Sequence, residues 1–129
     1  MAMSMHRDRR SFRGLLVWQQ AMQLARAIYE LTRNLPKEER YILSSQMWRS
    51  AISIPANIAE GSGRGTKRDF VSFLRIAQGS LRELETYLLL LPSISLASSQ
   101  QVAPLIHQTE SIARLLNRLI QSLQPPPKT

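Results

Sequence analysis

Arg68, Arg75 and Arg82 stand seven residues apart in the chain. Seven residues is close to two helical turns, so on a helix the three guanidiniums share one face and form a track for phosphates. The bland alternative is a solvated face steadied by i,i+3 pairs such as Arg82 with Glu85. Just upstream lies EGSGRGTKRD, in which Gly61, Gly63 and Gly65 alternate with Ser62 and Arg64 before Lys67. Glycines admit positive φ and bare the backbone N–H groups, so such a loop can cradle an anion beside a helix start. A plain flexible hairpin reads equally well. It is not a Walker loop, because no G-K-[ST] occurs and no strand precedes it. Arg64, Lys67, Arg68, Arg75 and Arg82 are therefore the candidate nucleic-acid contacts.

Acid–base, nucleophilic and metal chemistry find no matching set. Cysteine is absent, and the histidines are His6, in a basic leader, and His107, on a helix. Di-iron bundles need Glu-x-x-His from two helices, whereas Glu83 is followed three later by Thr86 and Glu110 by Ala113. Glu83 and Glu85, two apart, face different ways on a helix. The serines lack a credible base. The expectation is a non-enzyme with no catalytic residues, no metal and no cofactor. Net charge is +8, from 17 basic and 9 acidic residues, and arginine far outnumbers lysine. Arginine suits bidentate phosphate or carboxylate recognition; the other reading is a surface tuned for solubility or for pairing between subunits.

The elements that would position these residues are four amphipathic helices. The first is expected over 16–34, with Val17, Ala21, Leu24, Ile28, Leu31 and Leu35 as its seam. Trp18, Met22, Ala25 and Tyr29 make a second stripe, whose aromatics suit a core or interface, or alternatively base stacking. Asn34-Leu35-Pro36 stops the helix. The second is expected over 37–61, with Pro36 in its first turn and Ala51, Ile54 and Ile58 on one face. Its small residues, Ser50, Ala51, Ser53, Ala56, Ala59 and Gly61, imply close packing on several sides; Pro55 should kink it. Gln46, Arg49, Ser53, Asn57 and Glu60 form a polar stripe expected in an interface, with Arg49 needing Glu83 or Glu85.

A third helix is expected over 67–91. Thr66 and Asp69 read as its capping box. Its seam is Phe70, Leu74, Ala77, Leu81, Leu84, Leu88 and Leu91, and Leu91-Pro92 ends or bends it. Phe73, Ile76, Leu89 and Leu90 are a second apolar surface. The fourth, over 100–123, has the seam Val102, Leu105, Thr109, Ile112, Leu116, Leu119 and Leu123. This is an all-α chain, expected as an antiparallel up-down four-helix bundle over 15–124, with a basic mobile arm at 1–14 and a Pro-rich tail at 125–129. More apolar surface is available than one bundle consumes, so a homo-oligomer is expected. No run is long enough for a transmembrane helix and no h-region follows the basic leader, which points to a cytoplasmic protein without a membrane partner.

The segments SQMWRSAISIPANIAEGSGR and DFVSFLRIAQGSLRELET resemble the 23S rRNA-intervening sequence protein family, four-helix bundles encoded within large-subunit rRNA genes. That family reads S-Q-x-x-R-x-A-x-S-I-x-x-N-I-A-E-G in its second helix, matched here by Ser45, Gln46, Arg49, Ala51, Ser53, Ile54, Asn57, Ile58, Ala59, Glu60 and Gly61. Val17, Trp18, Gln19, Ala21, Tyr29, Leu31, Thr32, Pro36 and Glu39 match upstream. The resemblance covers 16–91 and fades where PSISLASSQ replaces the usual tight turn. It implies a homo-oligomer, usually a pentamer, that binds nucleic acid. Joined to the basic surface, it gives a self-associating bundle that binds RNA, or DNA, without strong sequence preference. The rival is a structural or adaptor oligomer that binds another protein, since the accessory bundles of diversity-generating retroelements, which associate with a reverse transcriptase, are similar in architecture.

Overall fold

In the computed structural model, which describes residues 11–125, four long helices carry the chain and no strand occurs among the described residues. They are α1 (Leu16–Arg33), α2 (Ser45–Ser62), α3 (Lys67–Ser93) and α4 (Ser99–Leu123). Each packs on two others: α1 on α2 and α4, α3 on α2 and α4. The contacts run in opposed sequence order. Arg49 meets Glu83 while Ser53 meets Ser80, and Gln78 meets Asn117 while Glu85 meets Thr109.

The core is what the three-four spacing required. Val17, Ala21, Leu24, Ile28, Leu31 and Leu35 of the α1 seam are all buried. So are Leu74, Ala77, Leu81, Leu84, Leu88 and Leu91 of α3; Phe70 is half-buried at its edge. On α4, Val102, Leu105, Thr109, Ile112 and Leu116 are buried, but the seam then shifts to Ile120, leaving Leu119 and Leu123 half-buried. Buried Thr109 keeps its hydroxyl satisfied by donating to the Ile106 carbonyl at 2.7 Å. In α2 the face is Met47, Ala51, Ile54 and Ile58.

Three expectations need correction. The second helix is not continuous from residue 37: a short turn, Lys37–Glu39, leads into a π-helical segment, Arg40–Ser44, before α2 begins. Tyr41 and Ile42 of that segment are exposed. The third helix runs two residues past its expected end at Leu91, with Pro92 inside it, and closes after Ser93 in a Schellman motif. There the Leu96 N–H donates to the Leu91 carbonyl and the Ser95 N–H to that of Pro92, with Ser95 at φ +62°. Ala56, expected against neighbouring backbones, is exposed. Gly61, expected among the closely packed small residues, is buried within α2.

The caps are legible in retrospect. Thr66 Oγ1 accepts from the Asp69 N–H at 3.1 Å and starts α3. Ser98 and Gln101 form a reciprocal capping box on α4. Of the segment expected as a mobile arm, Phe12–Gly14 is a 3-10 turn laid on α1: Phe12 meets Trp18 edge-on at 5.2 Å, and Gln19 donates to the Arg13 carbonyl at 2.8 Å. The arm's Arg7, Arg9 and Arg10, with His6, lie outside the described residues, as do the tail residues after Pro125.

Candidate nucleic-acid interface

The five expected contacts separate into two groups. Arg64 is engaged within the chain. Its guanidinium pairs with Glu60 at 2.7 Å and lies over the Phe73 ring at 4.9 Å. Glu60 belongs to α2 and Phe73 to α3, so Arg64 spans the two helices beside their connecting loop. Lys67, Arg68, Arg75 and Arg82 stand along α3, exposed. Lys67 and Arg68 have no acidic partner among the described residues. Arg75 Nη1 donates to the neutral Gln78 Oε1 at 3.1 Å. Arg82 pairs with Glu85 at 3.1 Å, yet its side chain is 72% exposed and most of its five N–H donors face outward.

The helix explains the alignment. Arg68, Arg75 and Arg82 repeat every seven residues, so they stay on the flank of α3 opposite its buried stripe. Gly65, at φ +91°, makes the turn that brings Lys67 and Arg68 to the start of α3; a side chain there would be strained. Asp69 in that first turn, beside the exposed N–H groups, is the acidic counterweight.

The polar stripe of α2 lies along the α2–α3 edge. Arg49 pairs with Glu83, as required, and Gln46 Oε1 accepts from Arg49 Nη2 at 3.1 Å. Tyr87 donates to the same Glu83 oxygen at 3.3 Å. Asn57 donates to the Ser53 carbonyl at 2.8 Å, and the Ser53 and Ser80 hydroxyls are 2.8 Å apart. Glu60 completes the stripe through Arg64. These groups stitch two helices of one chain.

A different surface escaped the sequence reading in its particulars. Between α1 and α2 lies an apolar groove of about 310 Å³, lined by Trp18, Met22, Trp48, Ile52 and Ala56 among others. Tyr29 and Trp48 meet edge-on at 5.6 Å along its border. Of the aromatic stripe of α1, Tyr29 thus meets α2 through Trp48, while Trp18 meets Phe12. Trp48 and Ile52 fall between the polar positions of α2, and that alternation hid them.

No group of three or more His, Asp or Glu side chains suited to a metal occurs among the described residues. None of their helices is long and apolar enough to cross a membrane.

A family model described as "23S rRNA-intervening sequence protein" matches residues 13–118. A crystal structure from Bacteroides thetaiotaomicron, described as a protein with unknown function from the S23 ribosomal protein family, is also similar. It superposes with a TM-score of 0.77 at 28% identity, over 82% of this chain and 99% of the other. No curated protein matches the chain.

Proposed function

Since the chain belongs to the 23S rRNA-intervening sequence protein family, we propose that it is a non-enzymatic, cytoplasmic, antiparallel up-down bundle that self-associates and binds RNA through its basic surface. The observation that carries the RNA reading is the open line of Lys67, Arg68, Arg75 and Arg82 on one flank of α3. Elsewhere on the bundle Arg49 and Arg64 are spent on carboxylates of the same chain. Lys67, Arg68 and Arg75, without a carboxylate partner among the described residues, on a chain of net charge +8, supply the sequence-independent attraction that phosphate backbones exploit.

The opposed contact registers support the up-down arrangement. Self-association rests on the α1–α2 groove, whose Trp48 and Ile52 are about two-fifths exposed in a single chain. Soluble proteins usually cover a contiguous patch of that kind. A pentamer is the assembly the family resemblance implies, and repetition of a weak basic patch around it would add avidity. The same groove favours the second reading, an adaptor that docks another protein. Light scattering at micromolar concentration checks assembly: an oligomer is expected, and a monomer overturns it.

The RNA reading is tested by mobility shifts at two salt concentrations. Replacing Lys67, Arg68 and Arg75 with alanine should weaken binding and lower the salt slope by about 0.7–0.9 for each lost phosphate contact. Replacing Arg64 alone should change little, since its charge is already paired. Absence of wild-type binding at low salt would leave the adaptor reading standing.

A further inference from the structure

The α3–α4 seam is open where the α2–α3 seam is closed. At the bundle tip an opening of about 470 Å³ is lined by Lys67, Arg68, Val71 and Leu123. Further along the same two helices an opening of about 280 Å³ is lined by Gln78, Gly79, Arg82, Ala113 and Asn117. Arg75 stands between them on α3. From Arg68 to Arg82 the helix rises about 21 Å.

Gly79 lines the second opening without adding a side chain to it. A Cβ placed there would meet nothing within 4 Å. Its floor carries base-pairing chemistry. Gln78 Nε2 donates to Asn117 Oδ1 at 2.8 Å, which orients the Asn117 amide and leaves its Nδ2 hydrogens as donors. On the other side, Gln78 Oε1 is held by Arg75. Flat guanidiniums and a directed amide beside an empty residue suit an unstacked base, not merely a charge.

We propose that this groove binds single-stranded RNA, with phosphates along Arg68, Arg75 and Arg82 and one base lodged over Gly79 against Asn117; the proposal rests on the polyanion reading above. The two openings lie on the surface over the packed α3–α4 seam, where an unpaired strand can lay its bases while its phosphates meet the guanidiniums. A duplex keeps its base edges inside its own grooves and reaches only the outer guanidiniums. Glu85, held at 3.1 Å by Arg82, marks the inner end of the track, where a carboxylate would repel the next phosphate.

The test is fluorescence anisotropy with a labelled single-stranded RNA of about ten nucleotides and the corresponding duplex, a length within the usual single-strand site sizes. Two variants accompany the wild type. Gly79→Leu fills the opening without changing charge, and Asn117→Leu removes the amide at an exposed site. Melting curves verify that both fold. The single strand should bind at least about tenfold tighter than the duplex, and each variant should lose about tenfold for the single strand only, the scale of one stacked base. Equal binding of strand and duplex overturns the groove proposal while the polyanion reading stands. So does unchanged single-strand affinity in both folded variants. Failure of the wild type to bind either RNA overturns both.

Discussion

The two flanks of α3 use the same residue types to opposite ends. On the α2 flank, Gly61 lets two helices touch: a Cβ there would stand 2.6 Å from Phe73 Cβ and 3.0 Å from Phe70 Cδ1. On the α4 flank, Gly79 leaves a space that nothing fills. Arg49 and Arg64 on the first flank are paired with Glu83 and Glu60. Arg68 and Arg75 on the second have no carboxylate partner among the described residues. A glycine's role thus depends on whether a neighbouring helix lies against it, and an arginine's on whether a carboxylate falls within reach.

The largest effect belongs to the stripe shared by both flanks. Leu84 is fully buried, and Leu84→Ala should cost about 2–5 kcal/mol through lost transfer energy and a cavity. Chemical denaturation measures it, and a cost well under ~0.5 kcal/mol would mean that α3 does not anchor the core. The sharpest contrast is between the glycines. Gly61→Ala should destabilise by about 1–3 kcal/mol, since the Phe73 Cβ cannot rotate away. Gly79→Ala should stabilise by about 0.5–1 kcal/mol, because alanine costs less backbone entropy in an open helical site. Equal signs in thermal melts of the two variants would break the comparison.

Ser95→Gly should stabilise by roughly 1 kcal/mol by relieving a left-handed serine at the α3 exit. Smallest is Arg64→Ala, at about 0–1 kcal/mol, because the Arg64–Glu60 pair is half exposed and screened by water. A double-mutant cycle with Glu60→Ala measures the pair directly, and a coupling energy well above ~1 kcal/mol would give that seam far more electrostatic weight than its exposure allows.

Periodicity alone determined the four helices and nearly all of their buried stripes, because an apolar residue every three or four positions has one way to leave water. Thr66, the Arg49–Glu83 pair and the Arg82–Glu85 pair were also readable, since each depends on local spacing or on a charge needing a partner. Tertiary structure decided the rest. Gly61 was readable as a close-packing residue, but its contact with Phe70 and Phe73 exists only once α3 lies across it. Ala56 looked buried because small residues permit close approach, but permission is not contact, and it lines the open α1–α2 groove instead. Ser95 gave no signal where glycine is the usual residue. Arg64 and Arg68, alike in sequence, parted because one fell beside Glu60 and Phe73 and the other beside an open groove. Helical spacing is a property of the chain with itself, whereas which faces stay open depends on how separate helices meet.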